Sequence, residues 1–581
     1  MREQRSGSQI LFGYLPNQTV DLQGRVWKVK EWSNPDTRNV DQATVRQELL
    51  RMIGRWSATG SDSGLEDELR RNGDIEVVTL NYSSGVRVEA FPKLFICKNP
   101  QCRRVIVSED GASACSCGSR ALGQFHFVGY HECGRLAEPW IPKCPTHKEA
   151  RIVFPGTASA AEIKIVCPVC NAVLRTGLGM WKCKHCDDDT TKFRHTVHRA
   201  AVVYTPRGIV VVNPPTSDQL KELSDAGGVA RALKWVVDGM RTRSFKDVGQ
   251  TKETLRRQLL ALGSLTAETV EAMVEAAADR GEVEQDQQPI NLNGIPADRV
   301  ERIEQTAVTL ATAVMYDRLR IENLVERTTA DSGLGRLYRE DYPAALEQAG
   351  LHEIELIDRF PVLTGYFGFT RGNPTPGESR LIPFRNKRNH LRVHSEITET
   401  EALLVRLDPV RVAEWITEQR HHTIDDWNDA ASARQSLLRA GIFPAPGTDP
   451  LQQRSVGSDL LTLTHTYCHR MIRRAAVFAG IDRNALSELV IPEHLCFFVY
   501  AASKGDFVLG GLQALFETEL NRLLDDVVYA ESRCALDPGC TKSGSACAAC
   551  VHLGEPSCRW FNRFLDRSTL FGPEGYFDSL T

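Results

Sequence analysis

The chain has 581 residues, of which 42% are hydrophobic and 25% are charged. These fractions are ordinary for folded proteins, so they exclude a disordered chain, and the length predicts about three to five domains. The formal net charge of −4 excludes a surface that is basic overall, so nucleic-acid binding would require local basic patches. The start of the chain has no apolar signal segment, and the apolar run 495–502 is too short to span a bilayer. These features predict a cytoplasmic protein with no membrane partner.

The first half of the chain predicts a mixed α/β region over 1–90, followed by a cysteine-rich region over 91–215. Short patterns alternate in the first region: strands at 9–13, 25–29 and 73–80 and a helix at 44–52. The second region carries only short apolar runs, which favours zinc-ribbon hairpins over long helices. Two strand patterns, at 202–206 and 209–213, close it.

The second half changes character twice. Helical periodicity predicts a helical region over 216–355, and strands return over 356–460, together with further helices. The last predicted domain, 461–581, has long helical patterns and ends in a cysteine cluster. The predicted fold class is therefore α+β, a multi-domain mosaic with zinc-ribbon modules, a helical middle and a mixed α/β C-terminal domain.

Fifteen of the 17 cysteines lie in two groups, ten between Cys97 and Cys186 and five between Cys534 and Cys558. Closely spaced pairs in a chain whose thiols stay reduced indicate zinc ligands rather than disulfides. The spacing predicts two four-cysteine sites in the first group: Cys97, Cys102, Cys115 and Cys117, then Cys167, Cys170, Cys183 and Cys186. Three further residues either complete another site or compete for the downstream pairs: Cys133, Cys144 and His147. We assign no ligand role to His131, His195 or His198.

The C-terminal group offers five thiols for a four-coordinate metal: Cys534, Cys540, Cys547, Cys550 and Cys558. One thiol is therefore redundant, and the spacing favours Cys534 or Cys540 as the redundant one. An iron–sulfur cluster is the alternative to zinc here, but these cysteines lack the spacing that is typical of such clusters. In total the sequence predicts about three structural Zn²⁺ ions.

Signatures of catalysis are absent from the sequence. It contains no P-loop, no His-Glu-x-x-His, no deaminase motif and no Gly-x-Ser-x-Gly elbow, and each predicted metal site is closed. We therefore predict that the chain is not an enzyme. The strongest candidate for a metal-dependent nuclease centre is the acidic group Asp425, Asp426 and Asp429. A helix N-terminus explains these carboxylates better. The segment 504–506 resembles a phosphate loop only weakly.

Two basic stretches are candidates for phosphate contacts. The run 380–392 contains no acid and includes Phe384, and its cations are predicted to contact DNA: Arg380, Arg385, Lys387, Arg388 and Arg392. The second stretch, 469–474, lies on a predicted helix. The alternative for both stretches is a solvated face with no ligand.

Several motifs occur in an order that resembles a known family. They are Ser8-Gln9, the Cys97–Cys117 ribbon, Cys133-Gly134, Pro139-Trp140, the segment 365–371, His465 and His469, Gly510–Leu512, and the C-terminal pattern of Cys534, Cys540, Cys547, Cys550, Glu555, Cys558, Asn562 and Arg567. The chain resembles the DrmB subunits of DISARM anti-phage defence systems. Its C-terminal third is similar to a zinc-bearing domain of unknown function that accompanies DEAD/DEAH-type helicases.

This resemblance implies a non-catalytic subunit that forms a heterodimer with a large superfamily-2 helicase and contributes to DNA binding. Two rivals remain at this point. One is a stand-alone metal-dependent nuclease or hydrolase, which needs an open metal site or a carboxylate cluster. The other is a zinc-bearing nucleic-acid-binding regulator that works without a helicase.

Overall fold

The structure is a computed structural model. It describes the following residues: 6–81, 83–108, 114–155, 160–186, 191–242, 250–261, 263, 266–279, 283–284, 290–315, 318–373, 375–444, 454–502, 510–554, 557–560 and 562–578. Its chain divides into two compact units. Unit 1 consists of Met1–Val211 and Leu363–Ile397, and unit 2 consists of Val212–Val362 and Thr398–Thr581.

Unit 1 combines helices with β-strands, many of which form three-stranded antiparallel sheets. Its elements are α1 (Gly7–Gly13), β1 (Thr19–Leu22), β2 (Arg25–Ser33), β3 (Asp36–Thr37), α2 (Gln42–Ala58), α3 (Leu65–Arg70), β4 (Ile75–Thr79), β5 (Gly85–Ala90), β6 (Leu94–Cys97), β7 (Val105–Val107), β8 (Leu122–Gln124), β9 (Phe127–Tyr130), β10 (Leu136–Ala137), β11 (Arg151–Val153), β12 (Lys164–Val166), β13 (Val173–Thr176), β14 (Arg194–Val197) and β15 (Thr205–Val212).

Unit 2 begins with helices and continues with an α/β core. Its elements are α4 (Ser217–Asp225), α5 (Gly228–Val237), β16 (Gln250–Thr251), α6 (Lys252–Ala261), α7 (Ala267–Asp279), β17 (Val283–Glu284), α8 (Ala297–Ala313), α9 (Ile321–Glu326), α10 (Gly333–Arg336), α11 (Tyr342–Gln348), α12 (Pro409–Glu418), α13 (Ala430–Ala440), α14 (Val456–Phe478), β21 (Leu486–Ile491), β22 (Cys496–Ala501), α15 (Gly511–Thr518), α16 (Leu520–Tyr529) and α17 (Gly539–Lys542). Two long strands, β18 (Leu351–Thr370) and β20 (Leu391–Leu407), contribute residues to both units, and the short β19 (Ile382–Pro383) belongs to unit 1.

The α+β class predicted from the sequence is confirmed, as are the helix at 44–52 and the strands at 25–29 and 73–80. The strand predicted at 9–13 is wrong, because these residues belong to α1. Ser6 caps this helix: its hydroxyl accepts a hydrogen bond from the backbone N–H of Gln9, whose side chain in turn accepts from the N–H of Ser6. This capping box stabilises a helical start that the apolar run alone does not reveal.

The cysteine-rich part of unit 1 consists of three-stranded sheets whose strands are short. The strand orders are β7-β6-β8, β10-β9-β14 and β11-β12-β13, and all pairings are antiparallel. The buried side chains among them form small groups; one consists of Cys97, Cys102 and Cys115 alone. A region with so little apolar core needs another source of stability, such as bound metal.

A fully buried arginine joins separate segments of unit 1. The Arg371 guanidinium donates hydrogen bonds to three backbone carbonyls: Gly134 at 2.9 Å, Asn17 at 2.8 Å and Val203. Gly134 has a φ of 88°, and a Cβ atom there would lie 2.9 Å from Ile382. Arg371 and Gly134 both belong to the motifs on which the family resemblance depends. In this structure Arg371 links three backbone segments, and Gly134 provides one of the carbonyls that it binds.

Unit 2 contains the largest apolar core, which α14 crosses. Residues 402–406 of β20 pair with β22, and β22 pairs with β21, both antiparallel. Helix α14 is buried along most of its length, with Leu463, Tyr467 and Met471 fully inaccessible to solvent. Among the described residues, no helix combines the length and the apolar character that crossing a bilayer requires.

Candidate metal centres

The predicted quartet Cys97, Cys102, Cys115 and Cys117, here cluster 1, comes together at the end of β6. The Sγ atoms of Cys97 and Cys117 are 3.6 Å apart, and those of Cys102 and Cys115 are 3.5 Å apart. Four sulfurs at about 2.3 Å from one zinc ion lie about 3.8 Å from each other, whereas a disulfide bond is about 2.05 Å long. All four cysteines are unbridged. Their spacing therefore suits a single tetrahedral ion.

Cluster 4 consists of Cys534, Cys540, Cys547 and Cys550, which all lie within 4.8 Å of one another. The Sγ–Sγ distances are 3.6 Å for 534–547, 3.7 Å for 540–550 and 3.6 Å for 547–550. The prediction that Cys534 or Cys540 is redundant is wrong, because both lie in the quartet. The fifth thiol, Cys558, lies elsewhere, with its Sγ 3.4 Å from Nε2 of His465.

The other six cysteines of the first group form two nested sites rather than the predicted ribbon. Cluster 2 contains His131, Cys133, Cys183 and Cys186, and cluster 3 contains Cys144, His147, Cys167 and Cys170. The prediction that 167/170 and 183/186 share one site is wrong, because each pair joins an earlier pair in the chain. The predicted ligands Cys133, Cys144 and His147 all take part.

Distances within these two sites also suit a small tetrahedral ion. In cluster 2 the Sγ atoms of Cys133 and Cys183 are 3.8 Å apart, and Cys186 Sγ is 3.8 Å from Nδ1 of His131. In cluster 3 the Nδ1 of His147 is 3.4 Å from Cys144 Sγ and 3.5 Å from Cys167 Sγ. Among the residues that the structure describes, clusters 1 to 4 are thus four cysteine-rich groups that can hold metal, compared with the predicted number of about three sites.

The acidity of the thiols differs within the clusters. Burial raises the pKa of Cys102 and of Cys133 to about 12. A hydrogen bond from the Ser119 backbone N–H lowers the pKa of Cys117 to about 7. Burial opposes ionisation of Cys547, but the backbone N–H groups of Cys550 and Ala549 outweigh it and lower its pKa to about 7. Full ionisation of a quartet therefore needs a cation at its centre, since neighbouring thiolates repel.

His131 is the ligand candidate in cluster 2 that the sequence reasoning left unassigned. It is buried, and its Nε2 lies 2.9 Å from the hydroxyl of Thr191, which orients the ring. The signal was its position two residues before Cys133, which gives a His-x-Cys pair in a region full of ligand pairs. His195 and His198 lie outside the four clusters.

The predicted DNA-binding run contains two cations that are already paired. Arg385 lies 2.6 Å from Glu68, and the Nε of Arg392 lies 2.8 Å from Glu76. Phe384 is only 4% exposed and packs with Phe369, so it cannot stack on a base. The run has no acid of its own, but α3 and β4 supply the compensating carboxylates. Arg385 and Arg392 therefore carry no uncompensated charge, and Phe384 offers no exposed ring to a base, contrary to the prediction for these positions.

The other three cations of that run, Arg380, Lys387 and Arg388, are exposed. Lys387 and Arg388 lie at the tip of the hairpin between β19 and β20. The side chain of Asn386 orders this tip, since its Oδ1 accepts hydrogen bonds from the backbone N–H groups of Arg388 and His390, both at 2.9 Å. The tip therefore presents cations on an ordered turn.

The second basic stretch, on α14, serves the fold. Arg470 donates to the carbonyls of Asp526 and Val527 at the end of α16, at 3.0 Å and 3.1 Å. Arg473 donates to Ala549 O at 2.8 Å, which lies between two cysteines of cluster 4. Arg474 forms an ion pair with Asp526 at 2.6 Å. These cations contact protein rather than presenting a phosphate-binding face.

In the acidic group at 425–429, Asp429 serves as a helix N-cap. Asp429 caps α13 by accepting hydrogen bonds from the backbone N–H groups of Ala431 and Ser432, at 2.8 Å and 3.0 Å. Hydrogen bonds from Ser432 and Ala431 also lower the pKa of Asp429. The weak phosphate-loop segment 504–506 lies outside the described residues.

Comparison with known proteins gives two findings. A family model described as a domain of unknown function, DUF8724, matches residues 6–205, a segment that contains clusters 1, 2 and 3. The DISARM protein DrmB of Bacillus paralicheniformis is 26% identical over 172 residues, which cover 26% of this chain and 30% of that protein. The match therefore spans about a third of the relative's length. It is a distant similarity to a DISARM component.

Proposed function

We propose that this chain is a non-catalytic, zinc-binding subunit of a DISARM-type anti-phage system, in which it partners a large superfamily-2 helicase. The observation that carries the proposal is the similarity to the DISARM protein DrmB, together with metal clusters that match the family-like motifs. The helicase would supply ATP hydrolysis, for which this sequence has no P-loop. This chain would supply binding surface.

Zinc is the ion that we assign to the four clusters. Sulfur and imidazole ligands in a tetrahedral arrangement suit zinc, and four protein ligands leave no open position for a substrate. In a polynuclear iron–sulfur cluster the cysteines bind different irons and spread apart as a set, whereas all four ligand atoms of each quartet here lie within 4.8 Å of one another. Closed zinc sites support a structural role and speak against a stand-alone metal nuclease.

Affinity purification of the tagged full-length chain from its native cells tests the proposed partnership. We expect a large helicase of superfamily 2 to co-purify with it, and we expect the chain alone to turn over neither ATP nor DNA. Nuclease activity of the lone chain, abolished by a point substitution in it, would support the hydrolase rival instead. DNA binding with no helicase in the purified material would support the regulator.

The exposed cations Lys387 and Arg388 at the β19–β20 hairpin, and Arg380 just before β19, are proposed to contact DNA phosphates. Replacing Arg380, Lys387 and Arg388 with alanine is expected to weaken DNA binding by the helicase complex, similarly for unrelated sequences, because phosphate contacts carry no base information. The slope of log affinity against log salt should fall by about 0.9 for each lost contact. Fluorescence anisotropy at several salt concentrations measures both quantities.

A matched control removes three exposed cations elsewhere in unit 1, namely Arg120, Lys143 and Lys164. It lowers the net charge by the same amount and should leave the affinity and the salt slope close to those of the unsubstituted complex. Equal losses in both triple variants, or no loss in either, would exclude the hairpin as a specific DNA contact. Arg385 is kept in both variants because its contact with Glu68 belongs to the fold.

A further inference from the structure

Four ligand-type side chains that belong to none of the cysteine-rich quartets meet inside unit 2. His465 and His469 lie one helical turn apart on the same face of α14, Glu488 lies on β21, and Cys558 lies in the C-terminal segment. Their ligand atoms all lie within 4.8 Å of one another. The two histidines and Glu488 have no solvent-exposed surface, and Cys558 is 5% exposed.

Hydrogen bonds fix the protonation of both imidazole rings. The Nδ1 of His469 is 2.7 Å from the carbonyl oxygen of Val551, and the Nδ1 of His465 is 3.3 Å from that of Phe564. A carbonyl oxygen only accepts, so each Nδ1 carries the hydrogen. In the neutral rings both Nε2 atoms therefore direct lone pairs at the centre. This is how a second shell orients histidines that bind metal.

The centre consequently gathers acceptors without matching donors. Glu488 Oε1 lies 3.2 Å from Nε2 of His465, and Glu488 Oε2 lies 3.1 Å from Nε2 of His469. Glu488 Oε2 and His469 Nε2 do not form a hydrogen bond with each other. Both atoms are buried without a hydrogen-bond partner in the part of the chain that the structure describes. Buried polar atoms that lack partners are costly, so folded proteins rarely contain them. A cation between these atoms would supply the missing partner.

Charge and distances both fit a divalent ion. One carboxylate and one thiolate balance the charge of Zn²⁺, and neutral imidazoles add none. Nitrogen, oxygen and sulfur ligands at about 2.0–2.3 Å from zinc lie roughly 3.3–3.6 Å apart. The separations here are 3.1 Å and 3.2 Å for nitrogen to oxygen and 3.4 Å for Cys558 Sγ to His465 Nε2.

Backbone groups hold the anionic ligands in place from outside. The N–H of Arg559 donates to Glu488 Oε1 at 2.9 Å, and the N–H of Asn562 lies 3.2 Å from Cys558 Sγ. Both donors closely follow Cys558 in sequence. Hydrogen bonds thus hold the segment around Cys558 against β21 at this centre, and metal ligation there would add to them.

We propose that His465, His469, Glu488 and Cys558 form a fifth, fully buried structural zinc site, which fastens the C-terminal segment to α14 and β21. It explains why a fifth cysteine accompanies the four of cluster 4. This inference is independent of the proposed function, since it depends only on the local geometry. Its rival is a metal-free arrangement in which one protonated histidine forms an ion pair with Glu488.

The near-isosteric substitution Glu488→Gln distinguishes the two arrangements. Elemental analysis of full-length proteins purified without chelator should show one zinc ion fewer per chain in Glu488→Gln than in the unsubstituted protein, whatever the absolute count. Thermal unfolding of the variant should also occur at lower temperature. In the metal-free arrangement the zinc content of the variant equals that of the unsubstituted protein, and this result would overturn the proposal.

Two further variants guard against a folding failure of the first. Cys558→Ala should also lack one zinc ion, whereas Cys496→Ala, which removes a buried thiol on β22 that belongs to none of the groups described above, should retain all of them. If neither site variant is soluble, the zinc content of the unsubstituted protein distinguishes the two arrangements. Five zinc ions per chain support the site, and four, the number that the cysteine-rich clusters account for, exclude it.

Discussion

Replacing Cys547 with alanine is expected to leave most of the protein insoluble and any soluble fraction without the metal of cluster 4. The segment around this cluster contains little regular structure, with α17 spanning only Gly539–Lys542. Structural zinc contributes about 10–16 kcal/mol to folding in small isolated sites, whereas whole domains are stable by about 5–15 kcal/mol. Loss of one ligand is therefore expected to unfold the whole segment. Its buried Val551, Leu553 and Phe564 would then become exposed.

Cys496→Ala is the matched control for this substitution. Cys496 lies on β22, is fully buried and belongs to none of the clusters described above, so its replacement removes one sulfur from the core and no ligand. A cavity of that size costs about 1–2 kcal/mol. The measurements are the soluble fraction after lysis and the zinc content of the soluble protein. Cys547→Ala with the solubility and zinc content of Cys496→Ala would contradict the structural role of cluster 4.

Elements with a strong local signal could be predicted from the sequence. Helix α14 has apolar residues at helical spacing. Strand β18 contains residues that favour strands, such as Tyr366 and Phe367. The cysteine groups were also visible, because closely spaced cysteine pairs in reduced chains are typical of metal binding. Local spacing was enough to indicate metal, since each pair forms one half of a site.

The assembly of those pairs into sites could not be predicted from spacing. The pair at 167/170 and the pair at 183/186 have the separation of a zinc ribbon, yet the first joins Cys144 and His147 and the second joins His131 and Cys133. Nesting of this kind depends on how β9 to β14 pair, which is non-local information. The same reason accounts for Cys558, whose neighbours His465 and Glu488 lie far earlier in the chain.

The sequence also could not show which basic residues are free to contact phosphate. The run 380–392 contains no acid, but Glu68 and Glu76, which lie near the start of the chain, neutralise two of its cations. Arg470 and Arg473 looked like a basic face, yet Arg470 binds carbonyl oxygens at the end of α16 and Arg473 binds one beside cluster 4. A cation count indicates where phosphate contacts are possible, whereas only the fold shows which cations are already used.

Removal of metal is expected to unfold the cysteine-rich part of unit 1 while the core of unit 2 persists. The strands from β6 to β14 are two to four residues long and surround small apolar groups such as Leu94, Ile96 and Phe125. Unit 2 instead has an extensive core that includes Tyr467 and Phe497. Stability that depends on metal should therefore disappear locally, because apolar burial remains intact elsewhere.

Hydrogen exchange read by mass spectrometry, before and after treatment with a chelator and a thiol-specific mercurial, measures this difference. Backbone amides of 94–203 should lose their protection, as should those around cluster 4, whereas amides of α14 and β22 should keep theirs. Returning zinc after removal of the mercurial serves as the control for irreversible damage. Equal loss of protection across both units would show that the metal sites do not act locally.

The metal released in that same treatment is the most direct test of the account. Titration of the freed ions with a colorimetric zinc indicator should give at least four zinc ions per chain, with the release accompanied by the loss of protection in 94–203. Fewer than four zinc ions per chain in freshly purified protein, or release of all of them while the amides of 94–203 remain protected, would contradict the claim that closed zinc sites hold this protein together.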